Sequence, residues 1–349
     1  MKIKEYDKEG MLKLIEGFPG QCEEADAIGR AFEPPAGYRA AFKNMVFTGL
    51  GGSAIGADLV RAYTAGGIGL PLLVNRNYLL PAFVGKETLV IASSYSGNTE
   101  ETLSAYRDAR KRSASIMAVT SGGELEKMAK ADRIPHIMIT KGLPPRCALG
   151  YSFFPLLAIL TKLGLIKDQT QSVKAAIKLM RDLKSDSLGS AVPEDRNLAM
   201  RIAKELYGKF PVVYGGCDHI DAVVTRWRGQ LAENSKTLAS SHVFPEMNHN
   251  EIVGWENPKK LFGDMAVVML RDKADHPRTS LRMDITKGII ESEKVRVLEV
   301  RSMGEDLLAR MFSLIYTGDF VSFYLAILNK CDPTPVDRVT YLKNELAKA

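Results

Sequence analysis

The chain has 349 residues, of which 46% are hydrophobic and 25% charged, and its net charge is +6. This composition predicts a soluble globular protein of about two domains. Basic residues are spread along the sequence rather than clustered with aromatic ones, which argues against nucleic-acid binding. The apolar window Tyr151–Ile166 is too short and too polar to span a bilayer.

Cysteine and histidine usage argues against a metal site. The four cysteines are far apart and the five histidines have no metal-ligand spacing. The amino terminus has no apolar signal segment. We therefore expect a cytoplasmic protein with reduced thiols, no metal and no membrane contact.

Strands alternate with helices in the first half. The segment Asn44–Thr64 predicts a buried strand, a glycine-rich turn and a helix. Four further strands and two helices are expected after it, in chain order: strands Leu70–Val74, Thr88–Ala92, Ser115–Val119 and His136–Thr140, and helices Thr99–Lys111 and Glu124–Lys130. This alternation is typical of a parallel sheet with helical crossovers.

The second half begins the pattern again. Phe210–Trp227 predicts a strand, a Gly-Gly turn and a helix, followed by strands Met265–Leu270 and Val295–Val300 and a long helix from about Glu305. The repeated turn suggests two lobes of similar α/β fold. We place them at residues 1–183, with a core at about 40–150, and at 194–349, separated by a stretch rich in turn-forming residues.

Two turns in the N-terminal lobe have unusual side chains. Gly52 and Ser53 follow the first strand, and Ser94, Ser96 and Thr99 surround Gly97 after a later one. Hydroxyls and backbone amides at helix amino termini suit a phosphate monoester. Thr99 could instead be only a helix cap, but so many hydroxyls in one turn favour phosphate binding.

Two other phosphate-binding motifs do not fit. The turn GLGGSAIG places its glycines differently from a dinucleotide-binding loop, and no acidic residue ends the next strand to bind a ribose. A Walker loop is absent because no Gly-Lys-Ser/Thr follows a glycine loop.

Together, GLGGSAIG and SSYSGNTEET resemble the sugar-isomerase (SIS) domain, a phosphosugar-binding module. The whole chain resembles the bifunctional phosphoglucose/phosphomannose isomerases, also through the segments PPRCALG, ENSK, NHNEIVGW and DPTPVDRVTYLK. The resemblance implies two doubly wound, flavodoxin-type SIS lobes. It also implies that Gly52, Ser53, Ser94, Ser96 and Thr99 bind the sugar phosphate.

Aldose–ketose isomerisation needs a base, a ring-opening group and a cation that stabilises an enediolate. The resemblance implies that Glu233 is the base and that His249, contributed by a neighbouring subunit, assists ring opening. A homodimer with a shared active site would follow. Each residue alone could equally be a solvated surface residue.

Three further roles also come from the resemblance. Arg146 would stabilise the enediolate, Lys343 would act at the ring oxygen, and Thr334 would make room for substrate rotation that permits activity on both sugars. In the C-terminal lobe, the loop Arg271–Asp275 is acidic, which predicts a single phosphate site per chain.

Three functions remain open from the sequence. The leading hypothesis is a cofactor-free isomerase of carbohydrate metabolism that interconverts glucose 6-phosphate and mannose 6-phosphate with fructose 6-phosphate. A phosphosugar-binding regulator would need a DNA-binding segment fused to one SIS domain. A glucosamine-6-phosphate isomerase or deaminase would normally carry a glutaminase domain or bind another C2 substituent.

Overall fold

The computed structural model describes residues 2–39, 42–217, 219–346 and 348. The chain divides into two compact units. The N-terminal unit comprises Gly17–Lys178 and Asp306–Ala309. The C-terminal unit comprises Met1–Glu16, Leu179–Glu305 and Arg310–Ala349. The first residues of the chain thus group with the C-terminal unit, whereas the sequence analysis placed them in the N-terminal lobe.

Strands and helices are numbered in chain order. The strands are β1 (Asn44–Thr48), β2 (Leu72–Asn75), β3 (Thr88–Ser94), β4 (Ser115–Thr120), β5 (His136–Met138), β6 (Phe210–Gly216), β7 (Ser240–Phe244), β8 (Met265–Arg271) and β9 (Arg296–Arg301). The helices are α1 (Ile3–Tyr6), α2 (Met11–Glu16), α3 (Phe18–Ala31), α4 (Gly51–Thr64), α5 (Glu100–Lys111), α6 (Gly123–Ala131), α7 (Leu149–Lys162), α8 (Thr170–Leu183), α9 (Leu198–Leu206), α10 (Asp221–Asn234), α11 (Glu251–Gly254), α12 (Pro277–Ser292), α13 (Leu307–Leu328) and α14 (Asp337–Leu346).

The N-terminal unit is built on a five-stranded parallel sheet in the order β2-β1-β3-β4-β5. Every residue of β3 is buried, because parallel strands are covered on both faces. One core cluster includes Val46 of β1, Val90 of β3 and Tyr106 of α5. The strand order reverses at β1 and β3, so these neighbours form the switch point of the sheet.

The C-terminal unit has a four-stranded parallel sheet in the order β7-β6-β8-β9. This order matches the first four strands of the other sheet, with β6 and β8 in the places of β1 and β3. The two-lobe α/β fold predicted from the sequence is therefore confirmed. The core of the C-terminal unit includes Tyr214, Phe244 and Trp255.

Helix α13 is long and apolar enough to cross a membrane by length and composition, with a mean hydropathy of 1.5 in its most apolar window. That window is 94% buried in the fold. A buried core helix of a globular protein has the same features, so its composition is weak evidence for a membrane span.

Candidate active site

The predicted phosphate-binding residues lie at the switch point of the N-terminal sheet. Gly52 and Ser53 follow β1, and Ser96 and Thr99 follow β3, whose last residue is Ser94. Because β1 and β3 are parallel neighbours, their carboxyl ends lie side by side at one edge of the sheet. Ligands of open α/β sheets bind at this position.

The turn after β1 leads directly into α4. The helix begins at Gly51, so that Gly52 and Ser53 both lie in its first turn. Ser53 is buried, and its Oγ accepts a hydrogen bond from the Tyr95 N–H at 3.2 Å. This bond joins the turns that follow β1 and β3. A Cβ atom on Gly52 would lie 2.5 Å from the Pro145 carbonyl oxygen, so only glycine fits there without a shift.

The turn after β3 is held by its own hydroxyls. Ser94 Oγ and Thr99 Oγ1 are 2.8 Å apart, and Ser94 Oγ also accepts the Gly97 N–H at 3.1 Å. Thr99 occupies the N-cap position of α5, but its side chain makes no capping hydrogen bond there. The cap alone therefore does not explain this threonine. Ser96 is exposed, and its Oγ accepts the Asn98 N–H at 3.3 Å.

A third turn, at residues 121–123, packs against the turn after β3 and was missed by the sequence analysis. The Ser121 N–H and Oγ both donate to the Tyr95 carbonyl, at 3.1 and 2.6 Å. Gly97 has φ of +71°, and a Cβ atom there would lie 1.7 Å from the Gly122 carbonyl oxygen. The Ser-Gly-Gly sequence at 121–123 was the available signal, but it resembles an ordinary turn.

Arg146 lies beside the same turns, in the 3-10 turn Pro145–Cys147 that precedes α7. The residue is only 4% exposed. Its backbone nitrogen is 3.7 Å from the Cβ position of Gly52. In addition, the Leu143 N–H donates to the Tyr95 hydroxyl at 3.0 Å, which connects the segment before Arg146 to the turn after β3. Below, the cradle means Gly52, Ser53, Ser94, Ser96 and Thr99.

Glu233 belongs to the C-terminal unit. It lies inside the last turn of α10 and is exposed. The next residue, Asn234, is fully buried and donates from Nδ2 to Ser322 Oγ at 2.9 Å. The end of α10 is therefore anchored to α13, and Glu233 has a defined position.

A lysine joins Glu233 to the segment with Thr334. Lys236 Nζ donates to the Glu233 carbonyl at 2.6 Å and to the Pro333 carbonyl at 3.1 Å. Thr334 is half-buried, and its N–H donates to Asp332 Oδ1 at 2.9 Å. The structure thus brings the predicted base and the predicted specificity residue into neighbouring segments.

His249 and Lys343 are exposed residues on separate elements of the same unit. His249 ends the 3-10 turn Glu246–His249, directly after β7. Its neighbour Asn248 donates from Nδ2 to Thr286 Oγ1 of α12 at 2.9 Å. Lys343 lies on α14, which has no buried residue.

The switch point of the C-terminal sheet has different chemistry. Both carboxylate oxygens of Asp272 accept Arg310 Nε, at 3.1 and 3.0 Å, and Asp272 Oδ1 also accepts the Ala274 N–H. Asp275 Oδ2 accepts the Asp272 N–H at 2.9 Å. A Cβ atom on Gly216, at the end of β6, would lie 2.7 Å from Asp275 Oδ1. Carboxylates therefore occupy the edge where the first sheet has hydroxyls.

Within the described ranges, no group of three or more His, Cys, Asp or Glu side chains could hold a metal ion. The expectation of a metal-free protein stays a prediction. The residues predicted for the site supply hydroxyls, backbone amides, an arginine, a glutamate and a histidine, and each of these groups can act without a bound metal.

Comparisons with known proteins bear on the family and the fold of the chain. The family model of the bacterial phospho-glucose isomerase C-terminal SIS domain matches residues 195–346. A bifunctional phosphoglucose/phosphomannose isomerase of Caldicellulosiruptor bescii is 47% identical, covering 97% of this chain and 99% of its own. One of Aquifex aeolicus is 37% identical with the same coverage of both chains.

Solved structures with low sequence identity share the fold. The C-terminal domain of glucosamine-fructose-6-phosphate aminotransferase from Francisella tularensis superposes with a TM-score of 0.71 at 15% identity, covering 93% of this chain and 98% of its own. Glucosamine-6-phosphate deaminase from Thermotoga maritima gives 0.65 at 16% identity, covering 93% and 96%.

Proposed function

The chain belongs to the bifunctional phosphoglucose/phosphomannose isomerases, and we propose that it interconverts glucose 6-phosphate and mannose 6-phosphate with fructose 6-phosphate. The structural observation that carries this proposal is the hydroxyl-lined cradle at the switch point between β1 and β3. It suits a phosphate monoester, because hydroxyls and amide N–H groups at the start of two helices can donate to its oxygens.

The reaction moves one proton from C2 to C1 of the open-chain sugar. The Glu233 carboxylate removes the C2 proton and returns it to C1, the electron pair passes through an enediolate, and the proton of the C2 hydroxyl is transferred to the C1 oxygen. The Arg146 guanidinium stabilises that anion, because its planar fork can donate two hydrogen bonds to vicinal oxygens. Lys343 assists at the ring oxygen, and Thr334 allows the substrate to rotate before proton removal.

We further propose a homodimer in which His249 of a second copy assists ring opening. Two observations support this. His249 is exposed in the single chain, and the turn that holds it is tied to α12 by the Asn248–Thr286 hydrogen bond. Leu281, Ile285 and Ile289 form an exposed apolar stripe at four-residue spacing along that helix. Contiguous exposed apolar surface is typical of an interface.

The dimer is tested by sedimentation of Ile285→Glu beside Lys260→Glu, a charge change at an exposed residue elsewhere in this unit. We expect Ile285→Glu to be monomeric and inactive and Lys260→Glu to remain dimeric. A fully active monomer of the unaltered protein would contradict the shared site.

The alternatives are less well supported. A regulator would combine one SIS domain with a DNA-binding segment, but this chain has two parallel-sheet units. The curated relatives with 47% and 37% identity are named isomerases rather than deaminases.

The proposed activity is tested by assaying the EDTA-treated full chain on glucose 6-phosphate and, separately, on mannose 6-phosphate. Glu233→Gln should lower kcat by a factor of about 100 to 10,000, the usual contribution of a general base. Glu256→Gln, a change at an exposed glutamate of the same unit, should leave kcat unchanged. Binding of fructose 6-phosphate without turnover of either substrate would contradict the proposal and favour a sensor.

A further inference from the structure

The turn that follows the proposed base makes an unusual set of hydrogen bonds with a distant segment. Asn329 Nδ2 donates to the Ser235 carbonyl at 2.9 Å and to Thr237 Oγ1 at 3.0 Å. Lys236 adds the bonds from its Nζ to the Glu233 and Pro333 carbonyls. The turn 233–237 and the segment 329–334 are thus held together at both ends, although they are nearly a hundred residues apart in sequence.

The end of α10 before this turn is held by buried hydrogen bonds to α13. Arg226 of α10 donates to both carboxylate oxygens of Asp319 at 2.9 Å, and Gln230 donates to Asp319 Oδ1 at 2.8 Å. These three residues are buried. Together with the bond from Asn234 to Ser322, they form a polar ladder along the contact between α10 and α13. Buried networks of this kind fix the register of the elements they join.

The contacts of Lys236 differ from those of the ladder. The ladder holds α10 against α13, but the Lys236 ammonium bonds to the carbonyl of Glu233 itself and to the residue directly before Thr334. An ammonium has three donors, so it can hold both carbonyls at once. It therefore joins the backbone of Glu233 directly to the residue before Thr334, which the bonds of Asn329 do not do.

We propose that Lys236 is a positioning residue that holds Glu233 and Thr334 in one register and so sets the relative turnover of the two sugars. This inference rests on the proposed function. The physical reason is that proton abstraction depends steeply on the placement of the base, so that a shift of about 1 Å can cost about a hundredfold in rate. Glucose 6-phosphate and mannose 6-phosphate differ at C2, the carbon from which the proton is removed. A shift of the base therefore changes the two rates of proton removal by different factors.

The test compares Lys236→Met with Lys330→Met in the full chain. Both lysines are exposed and have φ of 56°, so the backbone strain of the two substitutions is matched. No side-chain hydrogen bond of Lys330 is found in the part of the chain that the structure describes. Lys236→Arg is the conservative variant, since its guanidinium keeps the charge and several donors.

We expect Lys236→Met to lower kcat by about tenfold or more for at least one sugar and to change the ratio of the two kcat values by about threefold or more. KM should change little, because the phosphate is held by the cradle. Lys330→Met should match the unaltered protein, and Lys236→Arg should recover part of the lost rate.

Hydrogen exchange separates the positioning role from the reaction itself. If the lysine holds the two segments together, amide exchange at 233–237 and 332–335 should rise together in Lys236→Met and not in Lys330→Met. An unchanged kcat ratio in Lys236→Met, with lower stability alone, would overturn the proposal. Coupled exchange in a protein that turns over neither sugar would instead show that the proposed function had failed.

Discussion

The two sheets share a strand order but have opposite chemistry at their switch points. Beyond β1 and β3, serine and threonine hydroxyls line the edge, and both helices begin without a side-chain cap. Beyond β6 and β8, the carboxylates of Asp272 and Asp275 accept hydrogen bonds from backbone N–H groups that could otherwise donate to a bound anion. The switch point of the N-terminal sheet can therefore bind a phosphate, whereas carboxylates of the chain itself already occupy the switch point of the C-terminal sheet.

Under the proposed function, this difference divides one fold between binding and chemistry. The same crossover places a helix amino terminus at each edge, so the backbone geometry alone does not decide what is bound. The side chains decide it. We infer that the C-terminal unit contributes Glu233 and His249 to the reaction and does not hold a second phosphate.

The largest effect is expected from removal of the buried carboxylate of Asp272 at the switch point of the C-terminal sheet. Asp272→Ala leaves the buried Arg310 guanidinium without its carboxylate partner, so we expect the free energy of unfolding to fall by about 3–5 kcal/mol. Urea denaturation measures it.

The control for that variant is Glu305→Ala. Glu305 pairs with Lys273 through exposed side chains, and such a pair contributes at most about 1 kcal/mol. Equal losses from both variants would mean that Asp272 does not act as a buried anion.

The next effect concerns the cradle. Ser94→Ala combined with Thr99→Val removes two hydroxyls from the turn after β3. A hydrogen bond to a charged group contributes about 1.5–3 kcal/mol, so KM for either sugar phosphate should rise by roughly tenfold to a hundredfold per lost bond. Steady-state kinetics measure this, and an unchanged KM would remove these hydroxyls from the phosphate site.

A smaller effect is expected at the contact between the cradle and the segment with Arg146. A Cβ atom on Gly52 would lie 2.5 Å from the Pro145 carbonyl oxygen, whereas one on Gly66 would meet nothing within 4 Å. Gly52→Ala should therefore destabilise the protein by about 1–3 kcal/mol and lower kcat, while Gly66→Ala should be nearly neutral. Thermal unfolding and initial rates of both variants distinguish the two sites, and equal behaviour would contradict the close fit.

The smallest effect is expected at the acidic edge. Asp275→Ser gives the loop after β8 a hydroxyl similar to those of the cradle, yet Asp272 and its partner Arg310 remain. We expect KM for the sugar phosphates to stay the same within about twofold, because a change of that size corresponds to under 1 kcal/mol. A clear change in KM would indicate that this edge contacts substrate.

Elements with strong local patterns were predictable from the sequence, and long-range contacts were not. β3 is an apolar run with every residue buried, and it was predicted to within two residues at its end. β7 was missed because it is an edge strand that begins Ser-Ser-His and has a single fully buried residue. Edge strands are often short and polar, which weakens their alternation.

In the candidate site, too, local patterns were predictable from the sequence and long-range contacts were not. The cradle residues could be proposed from the sequence because their hydroxyls cluster within short turns after predicted strands. By contrast, the bond from Lys236 to Pro333 joins residues far apart in sequence. Only the folded C-terminal unit brings those two segments together.

The central claim, one phosphate site per chain at the hydroxyl-lined edge, is tested most directly by calorimetric titration of fructose 6-phosphate into the full-length Glu233→Gln variant, which should bind without turnover. We predict one site per chain, lost when Ser94→Ala and Thr99→Val are added and retained when Asp275→Ser is added instead. Two sites per chain, or full binding without the two hydroxyls, would contradict it.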